Sequence, residues 1–157
     1  MTDLNDSFDF LDSTVDDLAD LPEFKPYPLG SYIFTFAGWD TLFNDKKKPT
    51  GVELEFSLRS VLEMADPEEM ATFNAEEGRK WKTRILVKKK DGGRNEFGEG
   101  QLKNFLNVLR ERFPGESTRE ILDGGVGSDL AITLKQRADK NDREKIYNEI
   151  KEVAFAD

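Results

Sequence analysis

Residues 51–62 have the sequence GVELEFSLRSVL, and this stretch decides the fold because apolar and polar side chains alternate along it. The apolar positions of the alternation are Val52, Leu54, Phe56 and Leu58. Successive side chains of a β-strand point to opposite faces, so the pattern predicts a strand with one buried and one solvated face. Such a strand needs neighbours, which the rest of the chain must provide.

Four other segments supply candidate strands. Residues 31–39 (SYIFTFAGW) are rich in β-branched and aromatic residues, and residues 80–90 (KWKTRILVKKK) and 129–136 (DLAITLKQ) alternate like the first stretch. Residues 145–155 (KIYNEIKEVAF) fit strand and helical spacing alike. We favour a strand there, because a predicted turn at residues 138–142 and a clear strand precede it.

Between the third and fourth strands the apolar period changes to that of a helix. Apolar side chains recur on one helical face at Leu102, Phe105, Leu106, Leu109 and Phe113. Pro114-Gly115 ends this pattern. Residues 117–120 (STRE) form a capping box that opens a short second helix. The predicted order is therefore three strands, one or two helices, and two further strands.

This order predicts a mainly β fold with one or two helices. A five-stranded barrel with a helix between strands three and four is the oligonucleotide/oligosaccharide-binding (OB) arrangement. An extended linker precedes the first strand at Pro22, Pro26 and Pro28. We therefore divide the chain into a disordered acidic N-terminal arm with its Pro-rich linker, residues 1–28, and an OB-type domain, residues 29–157.

Charge is divided unevenly along the chain, whose net charge is −9. Residues 1–23 hold eight carboxylates and no Lys or Arg, whereas residues 79–94 hold eight basic residues and only Asp91 as an acid. A strongly basic stretch beside an acidic arm indicates a surface for a polyanion. It also indicates an arm that competes for that surface or recruits a partner.

The absence of His and Cys narrows the chemistry. Without imidazole or thiolate, the usual general bases, zinc ligands and disulfides are missing, so we expect no catalysis, no cofactor and no metal. No apolar run approaches the roughly 18–20 residues of a membrane span, and the acidic N-terminus differs from a secretory signal. We expect a cytoplasmic protein.

The ligand face of an OB barrel lies on strands two and three and on the loops that join strands one–two and four–five. Basic residues of this region form the candidate nucleic-acid-binding set: Lys46, Lys47, Lys48, Lys82, Arg84, Lys88, Lys89, Lys90 and Arg94. We expect the lysine-rich third strand and the first hairpin loop to form one continuous cationic channel outside a closed barrel. Arg84 is the strongest candidate, because it lies mid-strand and opposite the core-facing residues.

Aromatic rings give a second set of candidates, since bases stack on them. The set consists of Trp39 and Phe43 beside the basic loop, Trp81 on the third strand and Tyr147 on the fifth. Trp81 fits the core better than a stacking platform, and Tyr147 fits an ordinary packed tyrosine equally well. In the first strand one of two faces is core, and one of these faces carries Tyr32, Phe34 and Phe36.

The chain resembles phage-encoded single-stranded-DNA-binding proteins of OB fold over residues 28–155. The resemblance rests on Gly30-Ser31-Tyr32, the long second strand, the basic third strand, the helix at residues 100–113 and the closing Tyr147-Asn148-Glu149-Ile150-Lys151. It implies sequence-independent binding of single-stranded DNA during replication or recombination in a host cytoplasm. Many such proteins recruit replication or recombination enzymes through an acidic aromatic C-terminal tail, whereas here the acidic aromatic segment is N-terminal.

Two other classes of function stay open. Glu149-Ile150-Lys151, together with Asp139 or Asp142, is similar to the carboxylate–lysine centre of metal-dependent nucleases, which uses Mg²⁺ and needs no His. Alternatively, the chain is a non-catalytic interaction or scaffold protein whose acidic arm binds a basic partner or mimics DNA.

Overall fold

The computed structural model describes residues 26–66, 68, 73, 76–89, 91–138 and 145–156. Three features predicted above lie outside these residues: the acidic arm at 1–23, Lys90, and most of the turn at 138–142.

Seven elements follow one another in the described part of the chain. They are β1 (Gly30–Phe43), β2 (Pro49–Met64), β3 (Lys80–Leu86), α1 (Glu96–Leu109), α2 (Thr118–Gly125), β4 (Asp129–Ala138) and β5 (Ile146–Phe155). The predicted order of strands and helices is confirmed, including a strand at the ambiguous last segment. Ser117 Oγ accepts a hydrogen bond from Glu120 N at 3.2 Å, so the predicted cap of the second helix is confirmed as well.

Several element boundaries differ from the predicted ones, and two of them have a clear local cause. β3 ends at Leu86 because the next two amides, of Val87 and Lys88, both donate to the Thr50 carbonyl, at 2.9 and 3.1 Å, and the regular ladder stops. The first helix begins at Glu96, earlier than predicted, because the Asn95 side chain caps it by accepting from Gly98 N at 3.3 Å. A Cβ at Gly98 would collide with the Leu86 carbonyl, so glycine lets α1 pack directly on the end of β3.

The five strands form one antiparallel sheet in the order β3-β2-β1-β4-β5. β4 pairs with residues 30–35 of β1, whereas β3 lies beside the part of β2 that faces residues 35–42 of β1. This offset is the shear that curls a sheet toward a barrel. The mainly β architecture, with two helices between the third and fourth strands, is therefore confirmed, and its strand order is compatible with an OB-type barrel.

The sheet is not closed, which corrects the expectation of a closed barrel. β3 and β5 are its two edges, and among the described residues no ladder joins them. Helix α1 contacts both edge strands, and a cavity of about 700 Å³ lies between β3, α1 and β5. The helix and the cavity occupy the space where a closing ladder would run.

The core is built from aromatic rings on the concave side of the sheet. Tyr32, Phe34 and Phe36 are fully buried, so this face of β1 is the core face. The alternating face of β2 is buried as predicted. Trp81 of β3 stacks on Phe56 of β2 with ring centroids 5.3 Å apart and an interplanar angle of 24°. Offset aromatic stacking of this kind adds to the burial energy and holds the strands in register.

Tyr27 joins the segment before β1 to this core. Its backbone N donates to Asn148 Oδ1 at 2.7 Å, and its backbone O accepts from Asn148 Nδ2 at 2.8 Å and from Gln136 Nε2 at 2.9 Å. Its ring is buried, and burial raises the pKa of the phenol to about 12 against the weaker lowering effect of Arg79. The folded part therefore includes Tyr27 and Pro28, which the sequence placed in the linker.

Replacing Asn148 by Ala should lower the free energy of unfolding by about 1–3 kcal/mol, because it leaves buried backbone groups of Tyr27 without partners. Urea denaturation measures this change. The matched control is Asn104→Ala on the exposed face of α1, which should stay within about 0.5 kcal/mol of the wild type. Equal stabilities of the two variants would contradict a stabilising role of the hydrogen bonds between Asn148 and Tyr27.

Candidate nucleic-acid interface

One groove combines cationic and aromatic side chains. It is a cavity of about 790 Å³ between the β1–β2 turn, the start of β2, the loop after β3 and the start of α2. Its lining includes Trp39, Thr41, Lys48, Lys88, Lys89 and Arg119. We call it the loop groove, and these six residues define it.

The β1–β2 turn is closed by hydrogen bonds of Asn44. Its Oδ1 accepts from the backbone amides of Lys46 at 2.9 Å and Lys48 at 3.0 Å, which is the local side-chain bonding that favours Asn in turns. Lys47 adopts a left-handed conformation with φ of 60°, and Asn44 N donates to Lys48 O at 3.0 Å. All three lysines of the turn are exposed, so their ammonium groups project into solvent.

A second tight loop places Lys88 and Lys89 beside this turn. Lys89 N donates to Gly93 O at 2.8 Å, and Gly92 N donates back to Lys89 O at 2.9 Å, with Gly92 at φ of 90°. The Thr50 carbonyl accepts from Val87 and Lys88, and so it fixes this loop to the start of β2. Because β2 begins directly after the lysine turn, the two basic loops meet at the same end of the sheet.

The lysines of the two loops have no described carboxylate in ion-pair contact, although the charge of Lys88 contributes to the lowered pKa of Glu99. In the described part of the chain, no carboxylate forms an ion pair with any of them, the set being Lys46, Lys47, Lys48, Lys88 and Lys89. The groove lining contains no Asp or Glu among the described residues. A concave surface lined by one sign of charge concentrates field lines and attracts anions.

The basic residues of β3 behave differently, and this corrects the predicted continuous channel. Arg84 Nε lies 3.0 Å from Glu53 Oε2, and Lys82 Nζ lies 3.5 Å from Glu55 Oε1. These acids stand directly opposite the two bases in the β2–β3 register. Arg84, predicted to be the strongest candidate, is therefore compensated by a neighbouring carboxylate.

Arg94 is also paired. Its Nε and Nη2 donate to the two carboxylate oxygens of Glu99 at 2.9 and 2.6 Å. Hydrogen bonds from Arg94 are the main cause that lowers the pKa of Glu99, with smaller contributions from the charges of Arg94 and Lys88. The cationic surface is thus shorter than predicted and is concentrated at the two loops.

The four candidate aromatic residues lie in different parts of the structure. Trp39 is half-buried and lines the loop groove, and Phe43 is 61% exposed at the end of β1 next to the lysine turn. Trp81 is only 8% exposed and stacks on Phe56 in the core, which corrects its prediction as a base-stacking residue. Tyr147 is 41% exposed on β5, opposite Arg137, and does not line the loop groove.

Sequence patterns missed Arg119 and Thr41. Arg119 lies inside the capping box, and this motif indicates only the start of a helix. Nothing in the chain order indicates that the start of α2 returns to the β1–β2 turn. Thr41 follows a bulge between Phe36 and Gly38 that changes the register of β1, so strict alternation does not place it.

Glu149, the carboxylate of the nuclease alternative, forms ion pairs with basic residues of β4. Its carboxylate lies 3.5 Å from Arg137 Nε and 4.0 Å from Lys135 Nζ, in ion pairs between β4 and β5. Asp139 and Asp142 lie outside the described residues. Within the described ranges, no group of three or more His, Cys, Asp or Glu side chains is placed to hold a metal ion.

No protein-family model matches this chain, and no curated protein sequence matches it. None of the described helices is both long and apolar enough to cross a membrane.

The chain has two tryptophans, so the fluorescence of each can be measured in a variant that lacks the other. A Trp81→Phe variant keeps only the tryptophan fluorescence of Trp39, and a Trp39→Phe variant keeps only that of Trp81. We expect Trp39 to emit at a longer wavelength than Trp81 and to be quenched more strongly by acrylamide. The reason is that Trp39 borders the groove whereas Trp81 is enclosed by core rings. Circular dichroism verifies that both variants fold. Equal quenching would contradict the assignment of the two rings.

Proposed function

We propose that this protein binds single-stranded DNA without sequence preference during replication or recombination, as a phage-encoded OB-type protein that performs no catalysis. The observation that supports the proposal most is the loop groove, in which Lys48, Lys88, Lys89 and Arg119 line the same cavity as Trp39. Phosphate contacts from Lys and Arg supply affinity but carry no sequence information. The chemistry of the groove therefore suits any unpaired strand.

The expected mechanism has two parts. Lys48, Lys88 and Lys89 neutralise phosphates along the strand, and each neutralised phosphate releases counterions and makes affinity depend on salt. A base stacks on an aromatic ring, which contributes about 1–3 kcal/mol per base. Trp39 offers such a ring within the groove, and Phe43 offers a second one beside the turn.

A groove of this kind favours single strands over duplex. Stacking on Trp39 requires a base with a free face, and bases in a duplex already stack on their neighbours. Duplex DNA offers phosphates to the lysines but no such face. We therefore expect affinity for both forms at low salt and a preference for the single strand that persists at higher salt.

The acidic arm adds an intramolecular competitor. Its eight carboxylates match the sign of a phosphate chain. Tyr27 is fixed to the core by Asn148, so the arm is tethered at a defined point. A chain of about 25 residues spans up to roughly 80–90 Å when extended, which is long enough to reach the groove. The same arm is the proposed contact for replication or recombination proteins.

One observation favours the second candidate function, a scaffold whose acidic arm binds a basic partner or mimics DNA. Lys82, Arg84 and Arg94 are compensated by carboxylates, so the cationic surface is smaller than the sequence indicates. In that case the lysine loops would have no role in binding DNA. The two candidates differ in what happens when the arm is removed.

A gel shift with labelled oligo(dT) and duplex of equal length, at two salt concentrations, tests the proposal. We expect binding of oligo(dT) that weakens steeply with salt, and tighter binding after removal of residues 1–23 because eight competing charges are gone. If neither form of the protein binds oligo(dT) at low salt, the scaffold function stands instead.

Substitution of lysines locates the binding surface. Lys88→Gln combined with Lys89→Gln should weaken oligo(dT) binding and reduce the log–log salt slope by about 1.4, or about 0.7 for each lost phosphate contact. Lys82→Gln is the matched control, because Glu53 and Glu55 already compensate Lys82. An equal or larger effect of the control would move the site to β3.

A further inference from the structure

Helix α2 covers the tryptophan of the loop groove in two ways. Trp39 Nε1 donates to Asp123 Oδ1 at 2.8 Å, and Arg119 Cζ lies over the Trp39 ring at 5.4 Å from its centroid. Arg119 and Asp123 are four residues apart on the helix, which places them on one face. One helix therefore fixes the edge of the ring and occupies its face.

We propose that Trp39 and Arg119 form a stacking subsite for one unpaired base, in which Arg119 leaves the ring to the incoming base and binds the adjoining phosphate. This inference rests on the proposed binding of single-stranded DNA. It assigns α2, an element outside the predicted strand-and-loop ligand face, to the binding site. The ligand class is a planar nucleobase with its phosphate.

The spacing requires that Arg119 move. A base between the guanidinium and the indole needs two contact distances of about 3.5 Å each, which together exceed the observed 5.4 Å. The base therefore replaces the guanidinium on the ring instead of entering below it. The displaced guanidinium stays within reach of the strand, where its planar fork matches a phosphate.

The neighbourhood of Arg119 permits this exchange. Among the described residues its one interaction is the contact with the Trp39 ring, and its side chain is exposed. Asp123, the carboxylate one turn further along α2, is engaged by the indole N–H. Exposed cation–π contacts are weaker than base–aromatic stacking, so exchange of the cation for a base is favourable.

Asp123 acts as a positioning residue. Its hydrogen bond to Trp39 fixes the rotation of the indole, so the ring presents one face before the strand arrives. Such preorganisation lowers the ordering cost of binding. Asn at this position keeps an oxygen acceptor for the indole N–H, whereas Ala removes it.

The test measures oligo(dT) affinity by fluorescence anisotropy for full-length wild type, Arg119→Ala and Arg112→Ala. Arg112 is the matched control, since it lies over the Phe155 ring at 4.0 Å outside the loop groove. We expect Arg119→Ala to weaken binding about tenfold, equivalent to ~1.4 kcal/mol, and to lower the salt slope by about 0.7. Arg112→Ala should match the wild type.

Tryptophan fluorescence gives a second readout that a merely structural role would not move. Without DNA, Arg119→Ala should make Trp39 more accessible to acrylamide, because the guanidinium no longer covers the ring. Saturating oligo(dT) should then protect the ring in wild type and in Asp123→Asn, and less so in Asp123→Ala.

The outcomes separate the two proposals. If wild type binds oligo(dT) but Arg119→Ala matches Arg112→Ala in affinity and salt slope, the subsite is wrong and the binding function stands. If neither the wild type nor the protein without residues 1–23 binds oligo(dT) at low salt, both proposals are overturned.

Discussion

The stacking of Trp81 on Phe56 is the contact on which the arrangement of the site depends. It occurs between residues directly opposite each other in the β2–β3 ladder, so it fixes the register of the outermost strand. A slip of one residue would turn every side chain of β3 to the other face. The observed register places Arg84 against Glu53 and brings the end of β3 to Thr50. The register that this contact fixes therefore pairs basic side chains of β3 with carboxylates of β2, and it positions the lysine loop that follows β3.

This division of charge follows from local geometry and not from the number of lysines. Cross-strand neighbours on one face have Cβ atoms about 5 Å apart, so opposite charges there form exposed ion pairs. Tight turns such as residues 44–48 and 89–93 are closed by backbone and Asn or Asp side-chain hydrogen bonds, which leave the lysine side chains directed outward. As a result, Lys82 and Arg84 of the strand are paired with carboxylates, whereas the loops carry net positive charge. In the proposed function, a polyanion therefore meets the loops first.

The sequence predicted the elements of the fold and part of the site. Alternation located β2 and the core face with Phe56, and helical spacing located α1, because these periods depend only on local geometry. To predict that a carboxylate compensates Arg84, one needs the register of β2 against β3, and the sequence of a single segment does not give that register. Glu53 and Glu55 were visible as the polar face of the same strand, so pairing the two alternating segments would have indicated it. Tyr27 and Arg119 were missed because their partners are distant in the chain: Asn148 lies 121 residues from Tyr27.

In the proposed function, the net negative charge of the protein, to which the acidic arm contributes, and the positive charge of the groove act on DNA at different distances. The net charge of −9 repels DNA at long distance, so the protein gains no electrostatic steering from its total charge. At physiological salt this repulsion is screened beyond about 8 Å, and within that distance the loop lysines dominate. Attraction is therefore confined to strands already near the groove. Duplex DNA is held there by phosphate contacts alone, whereas an unpaired strand adds stacking on Trp39, a contact that salt weakens little. In this proposal, the preference for single-stranded over duplex DNA comes from the contacts within the groove and not from the overall electrostatic field of the protein.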